Sequence, residues 1–458
     1  MTGRTAWLTG TAPRRFLYAL LAAAAILPRL AVLLHERGTI TAAYVDKGDV
    51  FARTFLAHGT YGFIPGRPSA YTQPLYGWFL IPLYWIFTRS WVVVGLAQIA
   101  VAVATALLVY EIGRRWISPL AGLLGALAAT LHPYLVWHDV HMNREILDEL
   151  LAAAIVLLTL LVLDRRSLPL ALVLGAVLGL AILGNVRLVL LPLVVGAFLL
   201  AARRPAIVVA TLAAAAVAVS PWVIRNRVSV GCTTLTTDGR ALWKANNPNT
   251  LSTLEHGKWI DDVPPLPGAP PSPQDAGAIY AKTGRVVPTN ECAQMRRFRH
   301  LAIQFMEHHP GEKAKLARVA ARMLWQPAVT RTEGRRGAGT SLDVGRRVVE
   351  PAFVIVLYAL GLVGLFLVPR RFAVLALALL AYDTLTAMLF AGETRYRVPW
   401  DFLIALCAAA AVTRLVRRAP AGAEGEAGRR APDRDRRVAL RALRGALARA
   451  AALPAGRA

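Results

Sequence analysis

The residues best suited to chemistry in this chain sit at the ends of its apolar segments. Asp46 and Asp49 fall in Tyr44-Val-Asp46-Lys-Gly-Asp49-Val-Phe-Ala-Arg53, followed by Gly59-Thr-Tyr61-Gly62 and by Tyr71-Thr-Gln73-Pro74-Leu-Tyr76. Carboxylates beside a bilayer are costly unless they face water, a partner or a substrate. Either one could take a proton from a hydroxyl as a general base. A second group reads His138-Asp139-Val-His141-Met-Asn143-Arg144-Glu145 and continues through Asp148 and Glu149 into an apolar run. On a continuous helix His138, His141 and Glu145 fall at i, i+3 and i+7 and share one face. Glu145 is a catalytic candidate there, and the two histidines are candidates for lining an acceptor cavity. A helix dipole would account for one acid at this point but not for the whole group. The same three residues are weak candidates for a metal, because their spacing is not a metal signature. No metal is therefore assigned, although a divalent ion stays a candidate cofactor.

Arginines form a third group. Arg144 belongs to the stretch above, and Arg187 lies in Gly184-Asn185-Val-Arg187. Arg225 lies in Trp222-Val-Ile-Arg225-Asn226, and Arg395 and Arg397 in Gly392-Glu393-Thr-Arg395-Tyr396-Arg397-Val-Pro399. The planar guanidinium fork suits phosphate oxygens. Snorkelling at a helix end would explain one such residue, whereas several on one side point to an anionic ligand. Tyr71, Gln73 and Tyr396 complete the candidate substrate cavity.

The elements that must position these groups are membrane helices. Hydrophobic residues make up 56% of the 458 and mean hydropathy is +0.47, above the range of soluble domains. A span needs about 20 apolar residues. Runs that reach or approach this are 16–34, 91–112, 118–136, 146–163, 168–183, 188–202, 206–224, 348–368, 372–390 and 398–413. The pattern predicts an all-α polytopic membrane protein of about 10 transmembrane helices. A further piece, 74–88, carries two prolines and reads as a re-entrant or interfacial helix. Pro28-Arg29 near the centre of the first run, with no small-residue cleavage site, argues against a cleaved signal peptide.

The net charge of +25 would suit nucleic acid, but its placement does not. Arg14/Arg15, Arg114/Arg115, Arg165/Arg166, Arg203/Arg204, Arg370/Arg371 and Arg417/Arg418 mark alternate ends of the spans. That positive-inside pattern puts both termini in the cytoplasm of a bacterial inner membrane. The segments 35–73, 137–145, 184–187, 225–347 and 391–397 then lie outside. A phosphate-binding face would need exposed clustered charge, not pairs separated by apolar spans.

The expected organisation is an N-terminal transmembrane module, 1–224, with a first-loop active-site segment, 35–73. An extracytoplasmic insertion, 225–347, follows, then C-terminal spans, 348–418, and a basic tail, 419–458. Within the insertion, 228–237 reads as β-like, 262–275 as a Pro-rich loop, and 290–325 as two helices broken at His309-Pro310-Gly311. Residues 327–347 are Gly/Arg-rich. Cys232 and Cys292 both fall in the insertion, where an oxidising exterior permits a disulfide that spacing alone does not settle. The tail mixes Arg, Ala and Leu and reads either as an amphipathic helix on the inner leaflet or as a solvated chain.

These residues resemble the GT-C superfamily of integral-membrane glycosyltransferases, most of all the family-39-like branch of protein O-mannosyltransferases and lipid A aminoarabinose transferases. The resemblance runs over 14–418. It rests on the first-loop acid before Leu56-x-x-Gly59-x-Tyr61, on Pro68-Ser-Ala and Gln73-Pro74-Leu-Tyr76, and on the acid at Glu145. Pro221-Trp222 with Arg225-Asn226, and Glu393-x-Arg395-Tyr396-Arg397-x-Pro399, complete it. It implies transfer of a sugar from a polyprenyl-phosphate carrier to an extracytoplasmic protein, glycan or lipid, with inversion. A first-loop acid would be the base, either Asp46 or Asp49, and the arginines would hold the carrier phosphate. The rival reading is a transporter or lipid-linked glycan flippase, against which stands the absence of an internal repeat.

Overall fold

The computed structural model describes residues 14–42, 45–256, 258–327 and 348–418. The described residues up to Leu415 form one compact unit. In chain order the helices are α1 (Arg14–Glu36), α2 (Lys47–His58), α3 (Pro74–Phe87), α4 (Trp91–Trp116), α5 (Pro119–Thr130), α6 (Pro133–His138), α7 (Glu145–Arg165), α8 (Leu168–Gly184), α9 (Leu191–Leu199) and α10 (Pro205–Ser229). Then come α11 (Gly239–Ala245), α12 (Pro248–Glu255), α13 (Pro273–Thr283), α14 (Glu291–His308), α15 (Pro310–Trp325), α16 (Glu350–Leu365), α17 (Arg370–Leu389), α18 (Thr394–Arg397) and α19 (Asp401–Arg418). There is no strand among the described residues; the single bridge joins Ile64 and Arg67.

Local sequence starts these helices cleanly. Pro opens many of them at the first turn, where its missing N–H costs nothing, and Ser118 and Ser167 cap the starts of α5 and α8. Six helical stretches are long and apolar enough to cross a membrane, and α3, α5, α8, α16 and Val186–Leu199 are shorter apolar helices. Together they fall on the ten runs and the 74–88 piece read from the sequence. The main core gathers α4, α7, α8, α9, α10, α17 and α19. Small residues let α8 and α10 approach closely: a Cβ at Gly175 would lie 2.3 Å from Thr211 O.

The described residues between Ser229 and Pro327 fold over one end of this bundle. The helices on either side of His309-Pro310 form as read, as α14 and α15. The β-like reading of 228–237 is corrected. Helix α10 runs on to Ser229, and the carbonyls beyond it are taken by side chains instead of a neighbouring strand. Asn226 Nδ2 donates to Thr234 O at 2.9 Å, and Trp222 Nε1 to Leu235 O at 2.8 Å. Cys232 and Cys292 form a disulfide. Beside it the Glu291 carboxylate accepts from Ala70 N (3.1 Å) and Thr237 Oγ1 (2.7 Å), tying the segment to the chain just before α3. The polar stretch 328–347 and the tail from 419 lie outside the described residues.

A charged layer lies inside the bundle. Arg29, in the apolar helix α1, is 1% exposed and grips Asp139 through Nε (2.8 Å) and Nη2 (2.7 Å). Its Nη1 donates to Thr130 O and Ala25 O. Nearby, Asp401 accepts from Arg397 Nε at 3.1 Å and faces His132 Nε2 at 3.5 Å. Arg29, His132, Glu149 and Asp401 line one small cavity among apolar side chains.

Candidate active site

At the end of the bundle covered by the 230–325 segment, several polar side chains converge. The stretch holding Asp46 and Asp49 is not simply a loop. Asp46 is the N-cap of α2: its Oδ1 accepts from Gly48 N at 2.7 Å. Its own N–H donates to Met142 O at 2.9 Å, which pins the start of α2 beside the start of α7. Gly48 is required there, because a Cβ would lie 2.9 Å from Gly77 N in α3. Asp46 is half-buried and lies in the field of Arg144 and Glu145. Burial pushes its carboxyl above the ordinary value, while Arg144 and the Gly48 amide work against that rise.

Asp49 has a different environment. It is fully buried, and both oxygens are taken. Oδ1 accepts from Tyr84 Oη (2.7 Å) and Arg89 Nε (2.8 Å), and Oδ2 from Arg53 Nε (3.0 Å) and Arg89 Nη2 (3.2 Å). A carboxylate held by two guanidiniums and a phenol is a brace, poorly placed to take a proton from a substrate.

Arg144 stands at the N-cap of α7 and donates Nη1 to Gln73 Oε1 at 2.7 Å, joining the starts of α3 and α7. Its Nε lies 3.9 Å from Glu145 Oε1. Glu145 also lies in the electrostatic field of Arg395 and His138. One turn on, Asp148 accepts from Asn185 Nδ2 at 3.0 Å, while its buried Oδ1 has no partner. Asn185 Oδ1 accepts from Arg187 N at 3.2 Å. The Arg187 guanidinium stacks 3.7 Å from the centre of the Tyr396 ring and donates Nη2 to Ala391 O, leaving Nη1 buried without a partner. Arg395 pairs with Glu393 and donates to Tyr396 Oη at 3.1 Å.

The structure therefore brings Asp46, Gln73, Arg144, Glu145, Arg187, Arg395 and Tyr396 together at one end of the bundle. Three other expectations are revised. Arg225 spends its donors on Ser69 O, Tyr61 O and Asn226 Oδ1, with its guanidinium over the Trp222 ring; it clamps the chain that leads into α3. Arg397 is fully buried and directed at Asp401, Leu324 O and Gln326 O. His138, His141 and Glu145 share no helix face, because α6 ends at His138 and α7 begins at Glu145. The break has a tertiary cause: Gln98 Nε2 donates to Asp139 O (2.6 Å) and His141 O (2.7 Å), drawing those carbonyls out of a helical ladder. His138 and His141 stack instead on Tyr134 and Trp137. Among the described residues no group of three or more His, Cys, Asp or Glu is arranged to hold a metal ion. Tyr71 is buried beneath the Lys47 ammonium, 4.7 Å from its ring centre, at the edge of the site.

Sequence reasoning left Asp148, Asn185 and Lys47 out of the site. An acid one turn into an apolar run and an Asn two residues before Arg187 carried a polar signal. Lys47 carried only its place beside Asp46.

Residues 67–224 match the family model of dolichyl-phosphate-mannose-protein mannosyltransferases, about a third of the chain. In structure the chain is similar to the oligosaccharyltransferase of Archaeoglobus fulgidus in its apo form. The TM-score is 0.54 at 13% identity, over 96% of this chain and 55% of that one. The oligosaccharyltransferase AglB from Archaeoglobus fulgidus, in complex with an inhibitory peptide and a dolichol-phosphate, gives 0.50 at 13% identity, over 94% and 54%. ArnT from Cupriavidus metallidurans, bound to undecaprenyl phosphate, gives 0.40 at 16% identity, over 87% and 78%. The chain thus spans about half the length of the archaeal enzyme. No curated protein matches it in sequence. The fold is that of a polytopic helical membrane protein, similar to the archaeal oligosaccharyltransferase. Within the chain, the mannosyltransferase match begins just before α3 and runs through α7, α8 and most of α10.

Proposed function

We propose that this protein is a membrane glycosyltransferase that moves a sugar from a polyprenyl-phosphate donor to an acceptor hydroxyl. The observation that carries this is the meeting of one half-open carboxylate, Asp46, with Arg144, Arg187 and Arg395 at one end of a GT-C fold. Asp46 takes the proton of the acceptor hydroxyl as its oxygen attacks the anomeric carbon. The bond from that carbon to the phosphate oxygen breaks on the opposite face, so the configuration inverts. The electron pair leaves with the polyprenyl phosphate, and the arginines hold its growing charge. A carrier phosphate is already a good leaving group, so no strong general acid is demanded. Glu145, between Arg144, Arg395 and His138, keeps the arginines in place and lines the cavity.

The paired arginines at the other ends of the helices support a topology in which this end of the bundle and the 225–347 insertion face outside. The basic 419–458 tail would then face the cytoplasm of a bacterial inner membrane. Transfer of label from a polyprenyl-phosphate sugar by the purified protein tests the reaction. Movement of labelled lipid across vesicles without any transfer would favour a flippase instead.

A further inference from the structure

Helix α17 ends beside the candidate site, and two side chains of the polar segment above close that end. Lys313, near the start of α15, donates Nζ to Met388 O (2.8 Å) and Leu389 O (3.1 Å) in the last turn of α17. The same Nζ donates to Asn246 Oδ1 at 2.5 Å, just after α11. Asn246 is fully buried, and its Nδ2 donates to Leu389 O at 3.0 Å and Leu242 O at 2.9 Å. The last carbonyls of a helix have no partner within it, and a cation there also meets the negative end of the helix dipole. An ammonium has three N–H bonds, and Lys313 has an acceptor for each.

The chain that leaves this clamp is the one that holds Arg187. Two residues beyond Leu389, Ala391 O accepts from Arg187 Nη2, and the Phe390 ring centre lies 5.6 Å from the guanidinium. Gly392 follows, so close to α15 that a Cβ would overlap Ala320 O. Tyr396, on which Arg187 stacks, comes next in α18. Residues 388–392 therefore run between α15 on one side and Arg187 on the other. They carry no charge of their own, so these contacts fix their place. Among the described residues no carboxylate lies within ion-pair distance of Lys313; nearby charges are engaged with one another, Lys244 with Asp261 at 2.7 Å and His309 with Glu312 at 3.9 Å. A half-buried ammonium with neutral partners alone costs stability, and burial draws its pKa down to about 8. A purely structural clamp would do as well with an uncharged donor.

We propose that Lys313 is a positioning residue for Arg187: by clamping the end of α17 it fixes residues 388–392, and these set the guanidinium where the carrier phosphate binds. Lys313 touches no substrate and acts only through Arg187. The role of the phosphate rests on the glycosyltransferase reading above; the clamp on Arg187 does not.

The test uses the purified full chain and its Lys313→Met, Arg187→Ala and doubly substituted variants. Lys313→Met keeps the apolar stem and loses the donors; Lys313→Gln, which keeps two N–H groups, is the milder variant and carries the same comparison if Lys313→Met does not fold. One arm titrates undecaprenyl phosphate. Lys313→Met should raise its Kd about 5-fold or more, Lys313→Gln should raise it less, and the double variant should bind no more weakly than Arg187→Ala alone. The other arm needs no lipid. Hydrogen exchange should quicken in Lys313→Met over both 388–397 and 185–190, and stay unchanged in α4 and α7. Equal Kd in wild type and Lys313→Met, additive losses in the double variant, or quickened exchange confined to 388–392 would each overturn the proposal. Failure of the wild type to bind undecaprenyl phosphate counts against the glycosyltransferase reading, and the exchange at 185–190 still decides whether Lys313 holds Arg187.

Discussion

Two charged layers about one helical turn apart differ in how far their arginines are open. Glu145 belongs to the candidate site and Glu149 to the interior cavity, and four residues of α7 separate them by about 6 Å. In the interior layer every donor nitrogen of Arg29 is matched by Asp139, Thr130 or a carbonyl, and Arg397 is turned onto Asp401 and two carbonyls, with only Nη2 left over. In the site layer Arg144 and Arg395 have side chains 20% and 32% exposed, against 1% and 0% for Arg29 and Arg397. The first-loop acids divide in the same way, Asp49 closed and Asp46 open. A charge sealed inside the protein serves the fold, whereas one left partly exposed is available to a ligand.

The sharpest way to break this contrast is to remove one acid from each class. Asp46→Asn should lower transfer by about 10²- to 10⁴-fold, the usual worth of a general base, with little change in thermal midpoint. Asp49→Asn should do the reverse: its guanidinium and phenol partners lose their carboxylate, and any fall in turnover should follow the folded fraction. Turnover and thermal unfolding of both variants decide it, and a stable, inactive Asp49→Asn would invert the assignment. The interior layer should fail in stability alone. Arg29→Ala leaves Asp139 charged and buried, at a cost of about 3–5 kcal/mol. Fluorescence-detected size exclusion should show loss of the monodisperse peak, and the double replacement Arg29→Leu with Asp139→Leu should recover much of it.

Smaller effects separate the arginines. Arg187→Lys keeps the charge but loses the fork and the stacking on Tyr396, so the donor KM should rise several-fold while the protein stays folded. Arg397→Lys should lower the thermal midpoint and leave the donor KM of the folded fraction unchanged. Titration with the lipid donor checks both. The mildest expectation concerns pH. Because burial raises the Asp46 carboxyl, the base should be lost as pH falls through a value above the ordinary carboxylate range. The acid limb of kcat/KM should move to still higher pH in Arg144→Gln, since Arg144 is the largest influence lowering that group.

How much of this was legible in the sequence follows from the range of the forces involved. Apolar runs and a His-Pro break are local signals, so the bundle and the pair α14–α15 could be read directly. The convergence of Asp46, Arg144, Arg187 and Arg395 was visible only as polar residues at the same ends of successive runs. What could not be read was which charges are spent. Arg89 lies 40 residues from Asp49, and Asp401 shares its carboxylate between Arg397 in the next turn and His132 far away in the chain. The helix expected through 138–145 failed because Gln98, some 40 residues earlier, captures its carbonyls. Residues 228–237 resemble a strand in composition, yet side chains from α10 bind their backbone.

Arg29 also bears on how the protein is made. Its partner Asp139 lies 110 residues later in the chain. While the ribosome has delivered only α1, a guanidinium stands near the middle of an apolar span with no counter-charge, costing about 2.5–3.5 kcal/mol on insertion scales. The first helix should therefore be a poor membrane anchor by itself. It should linger at the insertion machinery, or slip in and out of the lipid, until the segment around Asp139 arrives and locks it. A nascent chain stopped before residue 139 would be extracted from the bilayer more readily than one stopped just after α7.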